Sequence, residues 1–277
     1  MVDIIICSSS DMTPAEAKEK NLLFCPLEVC VGGRWFRDGV DISAEEFNRR
    51  LPELSEVPKT SQVPPETFKN VFEGIKDAAV VITVSSNLSG TFQSAKLLAE
   101  DFENIFVVDS QSGSVGERIL IERAITLRER GLSAKDLAEA LDKEKKAIRL
   151  IGVLDTLKFL AKGGRLSRAQ AIAGGVLRVK PVLALENGEI RVLGKARGAK
   201  KAGNFLFQFV EENGRIDFSR PIAIGYSGDD DSVVRKYIEN SRILYEGKKK
   251  TLPVSQTGSV IGTHAGPGAA LFAYFKK

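Results

Sequence analysis

Short uninterrupted apolar runs recur through the first half of the chain, at Ile4 to Cys7, Ala79 to Val84, Ile105 to Val108 and Leu150 to Leu154. Runs of this length read as strands covered on both faces, the pattern of a parallel sheet rather than of a half-solvated one. Between them the period changes. Phe68, Val71, Phe72 and Ile75 fall at i, i+3, i+4 and i+7, as do Ala134, Leu137, Ala138 and Leu141 behind a Ser133 N-cap, so each segment predicts a helix with one buried stripe. Strands and helices in alternation, joined by right-handed crossovers, predict a mostly parallel sheet flanked by helices, and such sheets bind ligands beyond the carboxyl ends of their strands.

After Leu154 the pattern changes. Gly163-Gly164-Arg165 and Gly174-Gly175 punctuate short helices, and Asn187-Gly188 turns between the strand-like runs Pro181 to Leu185 and Ile190 to Leu193, which predicts a hairpin. A helix from about Ala199 to Val210 and a strand from Pro221 to Tyr226 follow. The expectation is an α/β protein of two domains, an N-terminal parallel α/β domain over residues 1–155 and a C-terminal domain of α+β character over 156–277, with a ligand between them.

Composition narrows the function classes. With 43% hydrophobic and 27% charged residues among 277, the chain reads as a folded globular protein. Forty Lys and Arg against thirty-six Asp and Glu leave a formal +4, too small and too dispersed for a nucleic-acid surface. No apolar run approaches the 18 or so residues of a membrane span, and the opening MVDIIICSSSD lacks the pattern of a signal peptide, so a cytoplasmic protein without stable membrane insertion is expected. One histidine and three scattered cysteines, Cys7, Cys25 and Cys30, show no metal-ligand spacing; free, buried thiols and no metal are expected.

Four clusters carry candidate chemistry. Val80 to Val84 runs into Ser85-Ser86-Asn87-Leu88-Ser89-Gly90-Thr91 and then into a helix, which gathers hydroxyls and free backbone amides at the positive end of a helix dipole. Ser89 there either caps the helix or binds a carboxylate or phosphate. Lys59-Thr60-Ser61-Gln62-Val63-Pro64-Pro65-Glu66 sets hydroxyls before another helix, where capping is again an alternative. Gly262-Thr263-His264-Ala265-Gly266-Pro267-Gly268 presents the one histidine, as a catalytic group or as a hydrogen-bonded structural imidazole. Gly163-Gly164-Arg165-Leu166-Ser167 lacks the lysine and spacing of a Walker loop, and leaves Arg165 as a possible anion clamp.

The order and wording of these segments resemble the DegV family of bacterial fatty-acid-binding proteins over nearly the whole chain. The matching pieces are Lys59-Thr60-Ser61-Gln62, Ser85 to Thr91, Val108-Asp109-Ser110, Lys162-Gly163-Gly164-Arg165, Lys180-Pro181-Val182-Leu183, Lys195-Ala196-Arg197-Gly198 and Gly262 to Gly268. Two departures stand out: Cys7-Ser8 where the family has Asp-Ser, and Val63-Pro64 where Pro-Ser is typical. The resemblance implies two α/β domains enclosing a long-chain fatty acid such as palmitate or oleate, with no other cofactor. It implies Thr60 and Ser89 as the residues that bind the carboxylate, His264 and Arg165 in a layer around them, and a carrier that presents its lipid to a separate fatty acid kinase for acyl-phosphate formation and phospholipid synthesis. Lys195, Arg197, Lys200 and Lys201 crowd a helix start, where the dipole disfavours cations; Arg197, Lys200 and Lys201 are candidates for contact with a phosphate or the kinase, the alternative being a solvated basic turn. Lys248-Lys249-Lys250 reads as a solvated loop. The rival function is a serine hydrolase of acyl esters, with Ser89 as nucleophile, His264 as base and Asp109 as its orienting carboxylate, although Leu88-Ser89-Gly90 is not a Gly-x-Ser-x-Gly elbow. A regulatory or scaffold protein enclosing lipid is the third class.

Overall fold

A computed structural model of the chain describes residues 2–166, 180–248 and 252–277. Its first half holds β1 (Asp3–Cys7), α1 (Pro14–Glu19), β2 (Leu23–Cys25), β3 (Glu28–Val31), β4 (Arg34–Arg37), α2 (Ala44–Arg50), β5 (Lys59–Ser61), α3 (Pro65–Glu73), β6 (Ala79–Thr83), α4 (Thr91–Ala99), β7 (Ile105–Asp109), α5 (Ser114–Glu129) and α6 (Ala134–Glu144). Then follow β8 (Ile148–Val153), α7 (Lys158–Lys162), β9 (Lys180–Glu186), β10 (Glu189–Ala196), α8 (Gly198–Asn213), β11 (Ile222–Ser227), α9 (Ser232–Asn240), β12 (Val254–Gln256), α10 (Ser259–Ala265) and β13 (Ala269–Phe275).

The expected parallel sheet is present, four strands in the order β2-β1-β6-β7. The strand around Leu150, expected with it, is not part of it. β8 pairs antiparallel with β13 and β9 in a six-stranded sheet of order β10-β9-β8-β13-β11-β12. A continuous apolar run records that both faces are covered, and carries no information about the direction of its neighbours. The predicted hairpin is β9–β10, turning through Asn187 and Gly188 at φ 51° and 82°, the two positive values a type I′ turn requires. Gly174-Gly175 and Lys249-Lys250 lie outside the described residues. A three-stranded sheet, β4-β3-β5, has no counterpart in the sequence reading, because strands of three or four residues are too short to show a period.

Side chains sort by strand parity into layers. Ile4, Ile6, Val80, Ile82 and Val108 point to one face of the parallel sheet, toward α5 and α6; Ile5, Cys7 and Val81 point to the other, where Phe68 and Phe72 of α3 and Ala95 of α4 cover them. In the six-stranded sheet Leu150, Leu271, Ala273 and Phe275 face the same side as Val115 and Ile119 of α5, while Ile151, Phe272 and Tyr274 face α8 and α9. Helix α5 is therefore shared by both sheets, and every residue from Ser114 to Ile121 is buried. A helix enclosed all round needs apolar residues on more than one stripe, which Val115, Ile119, Leu120 and Ile121 supply.

Candidate functional site

Between the two sheets lies a cavity of about 910 Å³, open solvent at its mouth included, within the roughly 300–1,000 Å³ usual for small-molecule sites. Leucines dominate its walls: Leu150 of β8, Leu183 and Leu185 of β9, Leu271 of β13, with Val260 and Ile261 of α10 opposite. Gly152 keeps the β8 wall thin, since a Cβ there would stand 2.7 Å from Leu271 Cδ2. The loop after β6 and the entry to α5 contribute Val84, Leu88, Ser89, Gly113 and Ser114, as expected for the carboxyl ends of a parallel sheet.

Four residues singled out from the sequence, Thr60, Ser89, Arg165 and His264, all line this cavity. Thr60, Arg165 and His264 also line an adjoining surface groove with Lys59, Lys162 and Glu56, so the polar end of the cavity is its mouth. Thr60 Oγ1 and His264 Nε2 are hydrogen-bonded at 2.9 Å across 204 residues of sequence. Burial, and then the Arg165 charge, push the His264 pKa down to about 4, so the imidazole is neutral at neutral pH. Its Nδ1 is closed off from solvent and has no hydrogen-bond partner among the described residues. A Cβ at Gly163 would overlap that atom, which explains why glycine suits this turn.

Ser89 Oγ pairs with Thr91 Oγ1 at 2.9 Å and accepts a longer bond of 3.3 Å from Thr91 N–H, while Gly90 occupies the N-cap position of α4. The hydroxyl thus does a fragment of capping work and still reaches the cavity. Arg165 donates from Nε to Leu88 O at 3.0 Å and from one terminal nitrogen to Gly163 O at 2.7 Å, which fixes its guanidinium beside the Ser89 loop. That loop is tied down elsewhere as well. Asp109 accepts from Ser86 N–H, Ser86 Oγ and Gln111 N–H, and Ser85 Oγ donates to Gly188 O at the tip of the β9–β10 hairpin.

These bonds do not compose a Ser-His-Asp relay. Ser89 pairs with Thr91, His264 with Thr60, and Asp109 with the Ser86 loop. Arg197 and Lys201 are exposed at the start of α8 and are not among the cavity residues; the side chain of Lys200 lies outside the described part of the structure. Cys7, Cys25 and Cys30 are free; Cys30 is half-buried rather than buried, and burial pushes the Cys25 thiol up to about 12. Among the described residues no group of three or more His, Cys, Asp or Glu could hold a metal, and no helix is long and apolar enough to cross a membrane. Sequence reasoning missed Gln62 as a contact: a Cβ on Gly90 would overlap its Oε1, so Gln62 packs directly against the Ser89 loop. It also missed Asp11 and Asp38, which are buried and grip the backbone at the start of α10.

Comparison with known proteins agrees over the full length. The family model described as "Uncharacterised protein, DegV family" matches residues 1–277. A DegV domain-containing protein of Caldanaerobacter subterraneus subsp. tengcongensis is 34% identical over 281 residues, covering 97% of this chain and 96% of its own. Among solved structures, the fatty-acid-binding DegV family protein from Thermus thermophilus has 31% identity and a TM-score of 0.87, with 99% of each chain covered. A stearic acid-binding protein from Eubacterium ventriosum has 27% identity and a TM-score of 0.85, covering 100% of this chain and 99% of that one. The two sheets around a shared helix, the cavity between them and the agreement from the first residue to the last have one common account: this chain belongs to the DegV family.

Proposed function

We propose that this protein binds a long-chain fatty acid, its hydrocarbon tail in the cavity between the sheets and its carboxylate held by the hydroxyls of Thr60 and Ser89. The observation that carries this reading is a leucine-walled cavity whose polar residues Thr60, His264 and Arg165 coincide with its mouth. At about 0.8 kcal/mol per buried methylene, a sixteen-carbon chain gains up to roughly 11 kcal/mol before ordering costs. The head group, taken from water, needs donors. With the imidazole proton on Nε2, His264 donates to Thr60 Oγ1 and leaves the Thr60 O–H free to donate to a carboxylate oxygen. The fixed guanidinium of Arg165 supplies positive charge that a neutral His264 does not. Fatty-acid-binding relatives of matching fold support the ligand class.

In this reading the protein is a carrier, and a separate fatty acid kinase phosphorylates the head group where it meets the groove of Lys59 and Lys162, while Arg197, Lys200 and Lys201 contact the kinase or the new phosphate. Mass spectrometry of the intact protein under non-denaturing conditions, followed by solvent extraction, tests the first part: one long-chain acid per chain is expected. No bound lipid and no uptake of added palmitate or oleate would overturn it. Formation of acyl phosphate on mixing with a fatty acid kinase and ATP tests the second. A fluorophosphonate adduct on Ser89 would favour the hydrolase instead.

A further inference from the structure

Helix α10 carries His264 near its end and forms one wall of the cavity through Val260 and Ile261. Its beginning is held from the opposite half of the chain. Asp38, 1% exposed, accepts from Ser259 N–H at 2.7 Å and from Ser259 Oγ at 2.6 Å, and Asp11 accepts from Gly258 N–H at 2.8 Å. Asp38 directly follows β4, and Thr60 belongs to β5; both strands flank β3 in the small sheet, where Val29 stands opposite Phe36 on one side and Thr60 on the other. The small sheet therefore touches α10 twice, at its first amide through Asp38 and at its far end through Thr60. Halfway along, Phe47 of α2 lies so close that a Cβ on Gly262 would stand 3.2 Å from its ring.

From this closed circuit we propose that Asp38 is a positioning residue for the head-group end of the site: by fixing the first turn of α10 it sets where His264 meets Thr60. Ser259 and His264 are five residues apart, about 1.4 helical turns, on one helix, so a slip of the anchored end displaces the imidazole directly. Removing the carboxylate also strands two buried donors on Ser259, which a small shift of the helix would hydrate. The hydrogen bond between Thr60 and His264 is then a readout of the anchor. As a statement about lipid retention this rests on the fatty-acid reading above; as a statement about His264 it does not.

The one histidine of the chain makes the test direct, because its imidazole nitrogens give the only histidine signals in a full-length sample labelled with nitrogen-15 histidine. Asp38→Ala should displace those signals and lower palmitate retention about tenfold, while Asp38→Asn, which keeps an acceptor oxygen for Ser259 N–H, should restore most of both. Gly262→Ala, which wedges α10 away from Phe47 without touching a charge, should displace the signals too and decides the matter if Asp38→Ala does not fold. Val234→Ala, in α9 on the far face of the six-stranded sheet, is the control for simple loss of stability and should leave the His264 signals in place. Unmoved signals in folded Gly262→Ala and Asp38→Ala, or equal movement in Val234→Ala, would overturn the proposal. Should the wild-type protein retain no palmitate, the fatty-acid reading fails while the signals still judge the role of Asp38.

Discussion

Among the described residues the Thr60 hydroxyl holds one hydrogen bond, to His264 Nε2, and the Ser89 hydroxyl holds two, one with Thr91 Oγ1 and one accepted from Thr91 N–H. Each keeps capacity for a further partner on the cavity side, so deleting either should cost ligand more than fold. Thr60→Val and Ser89→Ala are expected to weaken palmitate binding about tenfold each, at about 1–1.5 kcal/mol per lost hydrogen bond, with smaller shifts in the denaturation midpoint; titration with palmitate and urea melts measure the two effects. His264 gives a pH signature. Its folded pKa of about 4 lies below its ordinary 6.5, so between those values the unfolded chain binds a proton that the folded chain refuses, and its contribution to stability falls as the pH drops through that window. Its ring keeps some exposure, which discounts the effect to the order of 2 kcal/mol. His264→Gln should remove that acid sensitivity, and the difference in urea stability between wild type and variant, followed from pH 7 to pH 4, checks it. Asp11 works against it: burial raises its pKa to about 7, so its own contribution falls as the pH rises, and only the difference measurement isolates the histidine. Of these residues the hydroxyls of Ser89 and Thr60 were legible as polar groups at a strand-loop-helix junction, but the meeting of Thr60 with His264 was implied only by the family resemblance, since a contact across 204 residues leaves no local trace.

At the scale of elements, the β9–β10 hairpin forms the edge of the six-stranded sheet beside the cavity: β10 is an edge strand and its register is interrupted between Val192 and Gly194. Its tip is secured to the Ser89 loop by Ser85 Oγ to Gly188 O at 2.8 Å and Asn87 Nδ2 to Asn187 O at 3.2 Å. Ser85→Ala should therefore speed dissociation of a fluorescent fatty acid several-fold, for a loss of about 1 kcal/mol, with little change in the association rate. The hairpin itself was readable, because Asn-Gly between apolar runs has a single turn geometry to adopt. The small sheet of β3, β4 and β5 was not, and with it went the anchors Asp38 and Asn48, whose partners Ser259 and Thr257 lie more than two hundred residues away. The parallel sheet was legible from its apolar runs, whereas the assignment of β8 to the other sheet depends on its partners β13 and β9, which no run of residues encodes.

Over the whole molecule, stability and ligand space are set by the same layer. Ile119 of α5 is fully buried among side chains of both sheets, and Ile119→Ala should cost about 2–5 kcal/mol while leaving one cooperative urea transition, seen alike by circular dichroism and by the fluorescence of Trp35. The basic start of α8 is independent of that layer: Arg197 and Lys201 are exposed and away from the cavity. Reversing both to glutamate should leave palmitate binding unchanged and slow acyl-phosphate formation by a fatty acid kinase at least tenfold; an equal rate would reject their assigned contact. Charge composition alone had no power to place that patch, since +4 spread over 277 residues has no address until the chain folds.

Helix α5 has a consequence for how this architecture can be divided. Its buried run from Ser114 to Ile121 serves two sheets at once, and the polypeptide crosses from one sheet to the other only after α6. A protease cut in that crossing would leave the amino-terminal fragment with a bare greasy flank and the carboxyl-terminal fragment without a lid for Leu271, Ala273 and Phe275. The two pieces should therefore remain associated after nicking and be recovered together, each acting as chaperone to the other.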